Sequence, residues 1–214
     1  MQIESALCLA DLLGEGDGST IKARHIQFEP CDVSDIRSFV EANHYSRNIN
    51  GVHITCCFKA TYNGCLVGAM LFGQMATTAW KKFADEEQKV LELRRLVFLD
   101  EAGRNSESRF VGFAIRWIKK NLPTVEVIVS YADPKYGHSG VIYRASNFEL
   151  IGKSAKDFGY LDPDTGKVYH SRALRVKYKG DYKPFVKRLR DKLERGVLEK
   201  IELPPKYCYV YRMV

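Results

Sequence analysis

At 214 residues, 45% hydrophobic and 28% charged, the chain is long enough to bury one sizeable core, and its composition excludes a low-complexity or disordered protein. The opening residues MQIESALCLADLL lack a basic stretch and carry Glu4 and Asp11, and no apolar run approaches the ~18 residues of a membrane span, so neither secretion nor membrane insertion is expected. The net charge of +7 is uneven: residues 167–214 hold 14 Lys/Arg against 5 Asp/Glu, whereas residues 1–166 hold 19 against 21.

The elements follow in chain order. VSDIRSFVEA (33–42) has Val33, Ile36, Phe39 and Val40 on one side and predicts a short amphipathic helix. HITCCFKATYNGCLVGAMLFG (53–73) breaks at Asn63-Gly64, a hairpin turn between two apolar arms. KVLELRRLVFLD (89–100) predicts a strand. A polar loop then leads into a helix over 109–122, with Phe113, Ile115, Trp117 and Ile118 as core positions. Residues 125–131 read as a strand, 140–147 as a short helix and 148–153 as extended again. After the turn at Asp162-Pro163-Asp164-Thr165-Gly166, residues 171–178 alternate as a strand. A helix over 184–196 begins with Pro184 and ends at Gly196, and 207–212 closes the chain as a strand. No linker divides the chain, so one domain over 1–214 is expected.

Six cysteines at positions 8, 31, 56, 57, 65 and 208 form no CxxC pair and read as reduced thiols of a cytoplasmic protein. The basic segment 167–214 interleaves its charges with Tyr178, Tyr182, Phe185, Tyr207, Tyr209 and Tyr211. Cations neutralise phosphates and aromatic rings stack on bases, so this part can contribute to nucleic-acid binding, with Lys183, Lys187, Arg188 and Arg190 on the phosphates. A solvated helix face over core aromatics gives the same pattern.

The order helix, hairpin, strand, helix, strand, short helix, strand is an α/β layout around a mixed, mostly antiparallel central sheet flanked by helices. It resembles the GNAT acyltransferase fold. Arg109-Phe110-Val111-Gly112-Phe113-Ala114 resembles that family's R/Q-x-x-G-x-G/A segment, which implies donor binding by Arg109, Gly112 and Ala114 at a helix N-terminus. Ile142-Tyr143-Arg144-Ala145-Ser146-Asn147-Phe148 resembles the GNAT segment whose tyrosine protonates the leaving group. A further resemblance runs from about residue 43 to 211. Asn43-His44-Tyr45-Ser46, Glu92-Leu93-Arg94-Arg95-Leu96, Asn105-Ser106-Glu107-Ser108-Arg109, Ser130-Tyr131-Ala132-Asp133-Pro134, Gly137-His138 and Leu203-Pro204-Pro205-Lys206-Tyr207 are similar to the Mom family of phage DNA adenine-modification enzymes.

That resemblance implies a transferase that adds a carbamoylmethyl group to the exocyclic amine of adenine in phage DNA. The modification protects the DNA from restriction in the cytoplasm of the host bacterium. It implies Asp133, Tyr143 and Ser108 as catalytic residues, and His44, Tyr45, Arg94, Arg95, Tyr131 and His138 as substrate contacts. Asp133, at the end of an apolar strand, can accept the amine's proton or orient the base, or can simply cap the turn before Pro134. Arg95 falls on the strand face of Leu91, Leu93, Val97 and Leu99, where a guanidinium needs a partner; Asp133 or Glu107 is expected. Arg94 points the other way with Glu92, itself a base candidate or a surface partner. No His/Cys/Asp/Glu spacing fits a metal site, so none is expected. The donor is either an activated glycyl group, as on an aminoacyl-tRNA, or an acyl-coenzyme A. DNA is the expected partner, with tRNA as a second nucleic acid. Two other readings are a GNAT acetyltransferase acting on a small amine or a protein, and a DNA-binding protein without catalysis.

Overall fold

Asn63 and Gly64 both adopt positive φ, 47° and 83°, as a tight two-residue hairpin requires, and they join the first long antiparallel pair of the fold. The computed structural model describes residues 20–49, 53–76 and 78–213. In chain order the strands begin with β1 (Gln27–Cys31), β2 (Ile54–Tyr62), β3 (Cys65–Gly73), β4 (Val90–Phe98), β5 (Val127–Ala132) and β6 (Glu149–Lys153). They continue with β7 (Asp157–Asp162), β8 (Lys167–His170), β9 (Lys177–Tyr178), β10 (Asp181–Tyr182), β11 (Glu199–Leu203) and β12 (Tyr207–Arg212). The helices are α1 (Val33–Asn43), α2 (Ser106–Asn121), α3 (Val141–Ala145) and α4 (Pro184–Glu194).

Two compact units form. One comprises residues 20–132, 139–152 and 208–213, and the other Asp133–His138 and Lys153–Tyr207. The first is built on a seven-stranded sheet in the order β1-β2-β3-β4-β5-β12-β6. Its left half is antiparallel from β1 to β4, while β4 and β5 run parallel, with α2 as the crossover between them. Ile36, Phe39 and Val40 of α1 pack on Cys57, Ala69, Leu71 and Val97, the apolar stripe that the helical spacing predicts. Phe110 of α2 stacks on Phe28 with ring centroids 4.8 Å apart and meets Phe98 edge-on at 5.5 Å. A further cluster joins Val90, Val127, Val129, Cys208 and Val210.

The second unit has a small three-stranded sheet, β11-β7-β8, the β9-β10 hairpin and α4 around Leu174, Leu189 and Leu198. The charge-rich segment 167–214 lies mainly here, although the unit's sheet starts earlier, at Asp157.

Several expectations need correcting. Residues 171–178 are not one strand. His170 accepts the N–H of Arg172, and that cap winds Ser171–Arg175 into a 3-10 turn before the two residues of β9. The helix expected from 109 starts at Ser106. Strands β1, β7, β8 and β11 are short and polar enough that the sequence pattern does not reveal them. Cys31, Cys56, Cys57 and Cys208 are free thiols, but Cys65 is disulfide-bonded, against the expectation of reduced thiols throughout. Cys8 and the opening segment lie outside the described residues.

Candidate functional site

The parallel ladder between β4 and β5 ends at Leu93 opposite Ser130, and just beyond it β4 changes phase. On the β3 side Leu71 faces Arg95 and Phe72 faces Leu93, which leaves Arg94 as an extra residue, a β-bulge. Because side chains alternate with period two, one inserted residue swaps the faces of everything after it. Arg95 therefore does not share the face of Leu91 and Leu93, as strict alternation predicts. It lies with Glu92 and Arg94. Its expected carboxylate partners are not the ones it uses: its Nε and Nη2 donate to the Asn48 carbonyl at 3.2 and 3.0 Å, and Nη1 to the Arg94 carbonyl at 2.7 Å. Carbonyls satisfy a guanidinium without neutralising it. Burial holds Arg95 below the usual guanidinium range, opposed by Tyr45 and Glu92 nearby. Arg94 Nη1 meets Glu92 Oε2 at 2.8 Å, with both side chains largely buried.

Tyr143 is positioned from two directions. Gly140 caps α3 at φ 76°, and a Cβ there would lie 2.2 Å from the ring of Tyr209, so only glycine lets that ring sit beneath the helix start. Tyr209 is fully buried and donates from its hydroxyl to the Ser139 carbonyl at 2.7 Å. Its ring centroid lies 5.3 Å from that of Tyr143, and Phe148 closes the other side at 5.7 Å. Burial raises the Tyr143 hydroxyl above the ordinary phenol value, and Tyr45, Glu92 and Tyr209 add to the rise. A phenol so placed keeps its proton at neutral pH and can donate it.

Ser130, fully buried at the end of the ladder, pulls the other way on Tyr143. Its Oγ makes no well-formed hydrogen bond among the described residues. A buried hydroxyl left so costs about 1–3 kcal/mol, a cost that a bound ligand atom could relieve. The sequence motif contains Ser130 without marking it; a serine inside VIVSY, an otherwise apolar strand, is the signal that could have done so.

His44 is buried, and its Nδ1 accepts the Ser46 N–H at 3.1 Å; the His44 and Tyr45 rings lie 4.2 Å apart. Tyr45 is exposed, and it acts electrostatically on both Arg95 and Tyr143. Tyr131 turns toward the Val90–Val129–Cys208 cluster, where burial and then Cys208 push its hydroxyl up. It packs rather than presenting a free ring. The first unit thus brings Tyr45, Glu92, Arg94, Arg95, Ser130 and Tyr143 into one neighbourhood.

The donor motif fares differently. An anion at a helix N-terminus needs N–H groups with no intrahelical acceptor. Because α2 begins at Ser106, Gly112 and Ala114 lie in its second and third turns, where their N–H groups belong to the helical ladder, and Ala114 is fully buried. The guanidinium of Arg109 is bound to the Ala23 carbonyl and lies 5.7 Å over Phe28. Glu107 puts a negative charge in the first turn, and Ser108 Oγ donates to the Asn105 carbonyl at 3.2 Å. These residues do not fit the diphosphate of a coenzyme A, and the expected donor roles of Gly112 and Ala114 are corrected accordingly.

Asp133 and His138 fall in the second unit. Asp133 is buried; Oδ1 accepts the Lys135 N–H at 3.1 Å and Oδ2 pairs with Lys206 Nζ at 2.8 Å. The turn-capping reading of Asp133 is therefore realised, and an ion pair is added to it. His138 is exposed, with its ring 6.5 Å from that of Tyr136. Of the phosphate candidates, Lys187 pairs with Asp181 at 2.6 Å, while Arg190 lies 4.6 Å over Tyr182. No cluster of three or more potential metal ligands occurs among the described residues, and no described helix is long and apolar enough to cross a membrane.

A model of the Mom protein family matches residues 25–214. Methylcarbamoylase mom of Escherichia phage Mu is 28% identical over 207 residues, covering 95% of this chain and 81% of that protein. Among solved structures, the IAA acetyltransferase of Bacillus cereus is similar with a TM-score of 0.52 at 12% identity, over 88% of this chain and 99% of that one. yncA of Salmonella typhimurium, solved with acetyl-CoA, gives 0.51 at 11% identity, over 89% and 95%. At such identities the likeness is one of fold, the GNAT acetyltransferase fold.

Proposed function

The chain belongs to the Mom protein family, and from that premise we propose that it is a DNA-modifying transferase. It adds a carbamoylmethyl group to the exocyclic amine of adenine in phage DNA and so shields that DNA from host restriction. The observation that carries the reading is the half-buried Tyr143, held protonated at the end of the β4–β5 ladder beside Ser130 and Glu92. The adenine amine is a weak nucleophile because its lone pair is shared with the ring, so transfer needs a proton acceptor on the amine and a proton donor on the leaving group. Tyr143 supplies the second. Asp133, an anion beside Lys206, accepts from the amine. The paired base must also leave the duplex stack, a cost of a few kcal/mol that stacking and phosphate contacts offset.

A carbamoylmethyl group is joined through an alkyl carbon, which simple acyl transfer does not produce. An activated glycyl ester or thioester resolves this. The amine first takes the glycyl carbonyl and expels the donor's oxygen or sulfur, which Tyr143 protonates. The glycyl amine then attacks the purine carbon through a five-membered ring and displaces the original nitrogen as the terminal amide. Atoms balance, and no oxidant is consumed. An aminoacyl-tRNA suits this donor better than a coenzyme A thioester, given the first turn of α2.

The test is mass spectrometry of nucleosides from DNA of cells expressing the chain. A deoxyadenosine heavier by one carbamoylmethyl group is expected, absent with Asp133→Asn; with nitrogen-labelled glycine, the label should sit on the purine carbon. Unmodified DNA overturns the reading, and an acetylated small amine in its place would support an acetyltransferase.

A further inference from the structure

The basic segment contains a feature that phosphate binding alone does not use. Between β9 and β10, Lys179 and Gly180 adopt φ 49° and 85°, the two positive values of a type I′ turn, so residues 177–182 form a tight hairpin. Two strands of two residues are marginal by themselves. This pair is braced by Tyr182, whose ring has Lys177 Nζ at 4.9 Å and Arg190 at 4.6 Å, and by the Lys183 N–H on the Val176 carbonyl. The brace presents Tyr178, 65% exposed, beside the turn with Lys179 Nζ 5.7 Å from its ring. Tyr178, Tyr182, Lys183, Pro184 and Lys187 line a shallow cavity of about 510 Å³. Residues 175–190 hold seven Lys/Arg and one acid, Asp181, which is already paired with Lys187.

An exposed aromatic ring beside one cation, on a tight hairpin whose other ring lies between two more, matches a flat, π-faced ligand flanked by anions. We propose that the 177–182 hairpin is a base-stacking wedge: Tyr178 stacks on an unpaired base, and Lys179 and Lys183 hold the phosphates on either side. Base faces are open to a ring only where a base is unpaired, so the wedge favours locally opened DNA over intact duplex. It rests on the DNA-modifying reading and deepens it, since that chemistry needs adenine out of the stack.

Fluorescence anisotropy of the full-length protein tests it with three labelled oligonucleotides: a single strand, a fully paired duplex, and the same duplex with one mismatched adenine. Wild type should favour the first and third. Tyr178→Ala should lose roughly 5- to 150-fold on those two and little on the paired duplex, with an unchanged salt slope, and Tyr178→Phe should retain wild-type affinity. Thermal melting of the Ala variant, at so exposed a position, should match wild type. Equal affinity of wild type and Tyr178→Ala on all three, or an equal loss on all three, overturns the wedge. Neither outcome touches the DNA-modifying reading, which stands or falls on the modified deoxyadenosine.

Discussion

The two units differ in what they bury. In the first, Phe58, Phe72, Phe110, Ile118 and Ile128 make a dry aromatic and aliphatic centre, and the polar groups near it, Tyr143, Tyr131 and Arg95, are shifted chiefly by burial. In the second, three leucines form the core, and polar pairs surround it: the ion pairs of Lys192 with Asp162 at 2.8 Å and of Asp133 with Lys206, and His170 against Asp157 at 2.8 Å. A dry environment changes the proton affinity of a hydroxyl; in the second unit paired charges change that of carboxyl groups, Lys192 holding Asp162 and Lys187 holding Asp181 below the usual carboxylate range. Tyr143 thus lies in a dry interior and Asp133 among paired charges.

Three variants press on that division. The largest effect is expected from Tyr143→Phe, which keeps the ring's packing and removes the proton. Transfer should fall by about 10²- to 10⁴-fold while DNA affinity holds within about twofold. Quantifying modified deoxyadenosine alongside binding decides it, and retained transfer would remove the chemistry from the first unit. The combined change of Lys183, Lys187, Arg188 and Arg190 to Gln should have the opposite profile. Affinity should drop about equally on every sequence, and the slope of log affinity against log salt should flatten by ~0.9 for each phosphate that is no longer neutralised. If titrations at low and high salt match wild type, these residues only solvate α4.

The smallest effect concerns acid. Burial and then Arg172 hold His170 below its ordinary value, against the pull of Asp157. The folded protein therefore prefers the neutral ring, and the stability this gives is present above about pH 6.5 and is lost as pH falls through the lower, folded value. Wild-type melting temperature should decline between pH 7 and 5 more than that of His170→Gln. Parallel declines would mean that His170 does not couple the second unit to pH.

What the sequence makes legible follows the same division. Helical stripes such as Ile36-Phe39-Val40 and the Asn63-Gly64 turn are local signals, and both give elements within a residue or two of their observed bounds. The strands of the second unit are not legible, because DFGYLD and KVYH are held by their neighbours rather than by an apolar alternation of their own. At the site, Tyr143, Arg94, Arg95 and Tyr45 can be named from motifs. The face of Arg95 cannot, since nothing in Leu93-Arg94-Arg95-Leu96 announces an extra residue. The start of α2 is misplaced for a different reason: Arg109 and Gly112 fit a helix-opening motif, but Asn105 at φ 70° already begins the helix one turn earlier.

The bulge at Arg94 is a place where β4 can lose a residue without losing its register. Replacing Arg94 removes one ion pair with Glu92. Deleting it closes the bulge and leaves the pairing on both sides in place: Leu93 stays opposite Phe72 and Arg95 opposite Leu71, so Val97 still meets α1 and Phe98 still meets Phe110. The core is therefore indifferent to the extra residue, and what that residue adds is local: a second arginine next to Arg95 on the face of Glu92.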